Sequence, residues 1–151
     1  MSVRVAGRAD TADIGRLLHD FNREYDEPSP DPERLAVRMG ALIEEGQTAV
    51  LLAGARPDGL AVLRFRPAIW SEALECYLAE LYVAPEMRSH GLGRALLEQA
   101  IVFARARGAD YMDLNTGEQD MAARELYESV GFSRSEGKPD GPVNYYYELE
   151  L

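Results

Sequence analysis

Cysteine is nearly missing from this chain: Cys76 stands alone among 151 residues, which excludes an internal disulfide and any CxxC metal or redox pair. Histidine is almost as scarce. With only His19 and His90, a zinc site of imidazole and thiolate ligands has too few donors, so no metal is expected. No apolar run approaches the ~18 residues that span a bilayer, and the first ten residues lack the apolar core of a secretory signal. No membrane partner and a cytoplasmic setting are therefore expected. Basic residues are in deficit too: 16 against 26 acidic ones leave a formal charge of -10, which repels polyanions and disfavours nucleic acid as a partner. The same field favours cationic small molecules, although an acidic surface also serves solubility alone.

What is present is the composition of an ordinary globular protein, 46 % hydrophobic and 28 % charged, and the length suits one domain over residues 1–151. Residues 3–6 read as a short strand ending at Gly7. Asp10 can cap a first helix on which Ile14, Leu17, Leu18 and Phe21 recur at helical spacing. Pro28, Pro30 and Pro32 break it, making 22–32 a loop, and Asp31 can cap a second helix with Leu35, Met39, Leu42 and Ile43 on one stripe. Residues 48–53 and 60–65 are β-like runs around the turn Pro57-Asp58-Gly59, and a further strand at 73–83 is stopped by Pro85. A long helix then carries Leu92, Leu96, Leu97, Ala100, Phe103 and Ala104 inward and ends at Gly108, a residue suited to a left-handed cap. Short segments follow at 111–115 (strand), 120–130 (helix) and 144–151 (strand), with a surface loop at 137–142. The order predicts a mixed α/β fold with helices on both faces of a central sheet.

The segment from Tyr82 to Arg94 runs from a strand end into the start of the long helix. Unpaired N–H groups at a helix N-terminus bear partial positive charge, and Gly91 and Gly93 let an anion approach the backbone, so a diphosphate fits there. Arg88 and Arg94 add full charges at the edges. A tight turn with ordinary surface arginines would give the same Gly-x-Gly. The dinucleotide fingerprint is absent, because Leu96 stands at its third small position, and no Gly-Lys-Ser/Thr triplet supports a P-loop.

Arg88-Ser89-His90-Gly91-Leu92-Gly93 resembles the acetyl-CoA signature Arg/Gln-x-x-Gly-x-Gly/Ala of the GNAT N-acetyltransferase superfamily. A second block, Ala123-Arg124-Glu125-Leu126-Tyr127-Glu128-Ser129-Val130-Gly131-Phe132, resembles that family's Ala-x-x-Leu-Tyr-x-x-x-Gly-Phe at the expected distance downstream. The resemblance covers residues 3–151. It implies a mostly antiparallel twisted sheet whose fourth and fifth strands are parallel and splay apart, with helices on both faces. Acetyl-CoA would lie in the gap, with the diphosphate on Arg88, Ser89, His90, Gly91, Leu92, Gly93 and Arg94, and the pantetheine along the main chain of Leu81, Tyr82 and Val83. Arg124 falls within the second block and is a further candidate cofactor contact. Asp120 departs from the asparagine often found there; a carboxylate cannot donate an amide N–H, and Asn115 is the nearest amide that could substitute.

The Val83 N–H would polarise the thioester carbonyl and stabilise the oxyanion of acyl transfer. An alkylamine of pKa about 10.4 is protonated at neutral pH, so a base is needed. The resemblance points to Glu80, acting through a water; a carboxylate merely paired with a neighbouring arginine is the other reading. Tyr127 would protonate the departing thiolate, although its place on the stripe with Ala123, Leu126 and Val130 also suits plain core. Cys76, four residues before Glu80, would point to the same face of a regular strand, but without an activating histidine a covalent route is disfavoured. Direct transfer in a ternary complex is expected.

Glu24-Tyr25-Asp26-Glu27 gathers carboxylates around one ring, where the family commonly builds a wall of its acceptor pocket. It could hold a cationic amine, or be a solvated acidic loop. Trp70 and Tyr145, Tyr146 and Tyr147 are candidates for the opposite wall, the core or a subunit contact in a homodimer. Three functions stay open: acetylation of a small amine, acetylation of a protein or peptide amine, and acyl-CoA binding without turnover.

Overall fold

The structure is a computed structural model and describes residues 2–151. The chain divides into two units, one ending at Met112 and the other covering Asp113–Leu151. In the first unit the strands are β1 (Val3–Val5), β2 (Thr48–Ala53), β3 (Gly59–Pro67), β4 (Leu74–Val83) and β5 (Ala109–Asp113), the last reaching the unit boundary. The helices are α1 (Thr11–Glu24), α2 (Pro32–Glu45) and α3 (Leu92–Ala106). The strands lie in chain order in one mixed sheet. β1 to β4 are joined antiparallel, whereas β4 and β5 run parallel. Leu74 N donates to the Gly108 carbonyl at 3.1 Å, tying the starts of these two strands.

Alternation assigns the two faces. Val50 and Leu52 of β2, Leu60 and Val62 of β3 and Tyr82 of β4 share a buried cluster with Ile14 and Leu17 of α1 and Met39 of α2. The opposite face receives α3: Phe65 meets Phe103 with ring centroids 6.2 Å apart, and Leu96, Leu97 and Ala100 are fully buried. A sheet covered on both sides needs apolar residues at every position, which is why all six residues of β2 are buried. α1 and α2 pack closely because Gly15 faces the start of α2, where the Pro32 carbonyl and Ala36 N leave no room for a side chain.

The caps follow the sequence with one exchange. Asp31 accepts from Arg34 N at 2.8 Å, with Pro32 opening α2 where no N–H is needed, and Gly46 and Gly108 take left-handed conformations at φ 92° and 102°. Asp10 does not cap α1 with its side chain. Its carboxylate accepts from Arg4 and from Gly7 N, and these partners pull its pKa down to about 2.

In the second unit, Asp120 caps α4 (Met121–Ser129) by accepting from Ala123 N. Residues 134–144 fold back through a Ser135–Val143 bridge, with Glu136 N bonded to Pro142 O and Asn144 N to Arg134 O. Against expectation, residues 144–151 form no strand. Alternation marks a chain able to pair, but a strand needs a ladder, and Tyr145, Tyr147, Leu149 and Leu151 stay in solvent. Among the described residues no helix is long and apolar enough to cross a membrane.

Candidate active site

One extra residue in β4 decides what the site holds. Up to Leu78 the strand pairs with β3 as Cys76 with Phe65 and Leu78 with Leu63, on the α3 face. The register then shifts: Glu80 stands opposite Val62 and Tyr82 opposite Leu60, on the face of α1 and α2. Ala79 is the bulged residue and packs against that cluster. Cys76 and Glu80 therefore face opposite ways, contrary to the regular-strand expectation. Cys76 is buried under α3, away from the face that carries the carboxylate.

Glu80 is half-buried, and loss of water raises its pKa above the ordinary carboxylate value, with no charged neighbour contributing. Among the described residues no arginine forms an ion pair with it. A raised pKa makes the carboxylate a stronger proton acceptor than an exposed one, the direction that general-base chemistry uses.

The end of α1 closes over the next residue of this face. Phe21 stacks on Tyr82 at 4.9 Å, and Tyr25 meets the Phe21 ring edge-on at 5.4 Å. Burial, with the charges of Glu24 and Asp20, pushes the Tyr82 phenol up to about 12, so it stays a proton donor. Beyond it the chain turns through Pro85–Met87, and Ala84 N is fixed on the Asp58 carbonyl at 2.7 Å. Arg88 reaches back to donate through Nε to Val83 O at 3.0 Å and through both Nη atoms to the Glu24 carboxylate at 2.7 Å each. His90 Nδ1 lies 2.8 Å from the Arg88 carbonyl and braces the loop from inside.

Gly91, at φ 82°, is the N-cap of α3, and no side chain caps that end. The first N–H groups of α3, from Leu92, Gly93 and Arg94, have no carbonyl within the helix to bond. A diphosphate matches that donor set. Among the described residues two that are not glycine adopt a left-handed φ, Asp26 at 54° and Ser89 at 67°, and they lie in the two loops that meet here. Arg94 is engaged with Glu98 at 3.4 Å across one helical turn.

Tyr25, Asp26 and Glu27 follow α1 and are exposed, whereas Glu24 is spent on Arg88. Trp70 is 96 % exposed in the β3–β4 connection. Six residues of strand separate Leu74 from Glu80, roughly 20 Å at the usual rise, so Trp70 sits at the other end of β4 from the carboxylate. In the second unit Tyr127 is half-buried, with Phe132 edge-on at 6.0 Å, and Arg124 donates to the Glu118 carbonyl at 2.8 Å. Asn115 is exposed. The side chains of Glu24 and Tyr82 are the local contributors that reading the sequence did not assign; only Glu24's place in an acidic run drew notice.

Comparison with known proteins gives this arrangement a lineage. Residues 14–132 match the model of the acetyltransferase (GNAT) family. The chain is 27 % identical over 139 residues to the uncharacterized N-acetyltransferase YhfO of Bacillus subtilis, covering 91 % of this chain and 93 % of YhfO. It is 35 % identical over 122 residues to the mycothiol acetyltransferase of Thermobispora bispora, covering 78 % of this chain but only 36 % of that longer protein. The crystal structure of a candidate acetyltransferase from Arthrobacter sp. FB24 superposes with a TM-score of 0.91 at 41 % identity, over 100 % of this chain and 96 % of the other. The chain belongs to the GNAT acetyltransferase family and is an enzyme of the acyltransferase class.

Proposed function

We propose that this family member carries the acetyl group of acetyl-CoA to the primary amine of a small cationic molecule, by direct transfer within a ternary complex. The observation that carries the proposal is the Ala79 bulge, which turns a desolvated carboxyl without a cationic partner, Glu80, toward the face covered by α1. Acetyl-CoA supplies the activated thioester. Ser89, His90, Gly91, Leu92 and Gly93 offer main-chain groups to its diphosphate, with Arg94 at the rim, and Leu81, Tyr82 and Val83 offer main chain to the pantetheine arm.

Glu80 accepts a proton from the ammonium group through water, freeing the nitrogen lone pair. The C–N bond forms as the C–S bond breaks, and the Val83 N–H steadies the charge that develops on the carbonyl oxygen. Tyr127 returns a proton to the sulfur, a role assigned by its place in the second block. Arg124 and Asn115 are proposed cofactor contacts on the same ground.

For the acceptor, Tyr25, Asp26 and Glu27 offer a ring and two carboxylates in the exposed segment just beyond α1, where a cation is favoured by charge and by the π face. A homodimer is part of the same reading. It is supported by the exposed run of Tyr145, Tyr147, Leu149 and Leu151, large apolar side chains left in water in the single chain.

The test is release of free thiol from acetyl-CoA with a panel of polyamines, aminoglycosides, amino compounds and peptides. Acceleration by a cationic small amine is the expected result. Acceleration by peptides alone would move the acceptor to proteins. Tight binding of coenzyme A with no acceleration by any amine would make the protein an acyl-CoA-binding module.

A further inference from the structure

Arg88 opens the loop assigned to the diphosphate, yet its guanidinium is already committed. Three of its five N–H donors are used, one on Val83 O and one on each oxygen of Glu24. The guanidinium carbon lies 5.7 Å from the centre of the Tyr82 ring, so the fork closes over that side chain. Glu24 is the last residue of α1 and precedes Arg88 by 64 positions. A carboxylate at the C-terminal end of a helix opposes the helix dipole, so its presence there calls for a compensating partner. Arg88 is that partner, and each group holds the other charged: the Glu24 carboxyl lies below its ordinary pKa and the Arg88 guanidinium above.

The pair differs in kind from the other ion pairs of the described residues. Arg94–Glu98 and Arg16–Asp13 lie within one helix at 3.4 and 3.2 Å, Arg8–Glu44 is long-range but strongly exposed at 3.5 Å, and Arg4–Asp10, though two-pronged, joins residues six apart. Glu24–Arg88 is two-pronged, partly buried and long-range. It links the two loops whose residues, Asp26 and Ser89, hold left-handed backbone. Exposed single pairs contribute little, whereas a paired fork with further hydrogen bonds at both ends fixes geometry.

We propose that Glu24 and Arg88 form a positioning bracket that couples the acceptor-side end of α1, residues 22–30, to the cofactor loop, residues 84–91, so that filling the loop stiffens the acceptor wall. The proposal rests on the reading of that loop as the diphosphate site and assigns Arg88 a role different from direct contact. Arg88 acts through Glu24 and through Val83, whose carbonyl it holds. The ligand is left to the backbone donors of the loop and of α3. Through the bracket the cofactor organises the surface that the amine meets, and the coupling is reciprocal.

Hydrogen exchange read by mass spectrometry tests this directly, with coenzyme A as the probe. In the wild-type protein coenzyme A should slow exchange in both 84–91 and 22–30. In Glu24→Gln and Arg88→Gln it should slow 84–91 alone. Arg88→Lys should behave as Arg88→Gln, because a lysine keeps the charge and loses the fork; Glu24→Asp should restore part of the coupling. By calorimetry the two single Gln variants should weaken coenzyme A by a similar factor, of the order of fivefold, with the double variant no weaker than either single.

Equal protection of 22–30 in Glu24→Gln and the wild type would overturn the bracket. So would a large loss of affinity in Arg88→Gln with none in Glu24→Gln, the pattern of an arginine that touches the phosphates. If the wild type bound no coenzyme A, the loop assignment would fail separately. The bracket would then stand or fall on the ligand-free protein, where Glu24→Gln must raise exchange in 84–91 and 22–30 together. Unchanged melting of each variant's far-ultraviolet signal shows that the fold is intact.

Discussion

Glu80 carries two opposed consequences of one burial. As a base it must be ionised, so activity should fall as pH drops through its raised pKa, and Glu80→Gln should lose roughly a hundredfold in kcat at neutral pH, with part of the rate returning at high pH where the amine is deprotonated without help. A pH–rate profile checks this, and a flat profile in the variant equal to the wild type would remove Glu80 from the chemistry. For stability the sign is reversed. A carboxyl whose folded pKa lies above its unfolded value favours folding while protonated, and that contribution is lost as pH rises through the folded pKa. Glu80→Gln should therefore melt at a higher temperature than the wild type above neutral pH, read by calorimetric scans. Tyr127→Phe should cut kcat by about tenfold or more while leaving coenzyme A affinity within about threefold, because it removes a proton and little surface. At this scale the sequence was informative where chemistry is local. The loop 88–93 announced itself because glycine at 91 is needed for a φ of 82°, whereas the partner of Arg88 lies 64 residues away and no residue type in either loop names the other.

Elements show the same division. The hydrophobic stripes of α1, α2 and α3 were readable because a helix buries one face against a sheet, and β2 was readable because both of its faces are covered. The bulge at Ala79 left no mark, since alanine is an ordinary strand residue, and the face of every residue after it was assigned from an uninterrupted alternation. Residues 144–151 are the converse case: their alternation is plain, but a sequence does not say whether a ladder partner exists. Packing between α1 and α2 rests on Gly15, where an added Cβ would strike the Pro32 carbonyl oxygen and come within 2.9 Å of Ala36 N. Gly15→Ala should destabilise the protein by about 1–3 kcal/mol, the usual cost of overpacking, despite alanine's better helix propensity. Denaturant unfolding gives the figure, and a stability equal to or above the wild type would show that the two helices are not held at this distance.

For the whole molecule, a charge of -10 acts on whatever approaches it. A cationic acceptor should show a KM that rises severalfold between low and high ionic strength, while a neutral-bodied amine of similar size should show little change. Salt-independent KM values for both would mean that the acidic surface serves solubility alone. Removing residues 144–151 should convert a dimer into a folded monomer, read by light scattering; a full-length monomer would show that the apolar stripe is not a subunit contact.

The uncapped start of α3 and the loop before it are the proposed seat of the diphosphate, on which the aim of the thioester depends. Calorimetric titration of the intact protein with coenzyme A, with pantetheine, which has the arm alone, and with phosphopantetheine, which restores one phosphate without the nucleoside, separates the phosphate contribution from that of the adenosine. One-to-one binding of coenzyme A, about tenfold or more tighter than pantetheine, with phosphopantetheine also tighter than pantetheine, is the predicted result. Pantetheine binding as tightly as either phosphorylated ligand, or no association with coenzyme A or its acetyl ester, would contradict it.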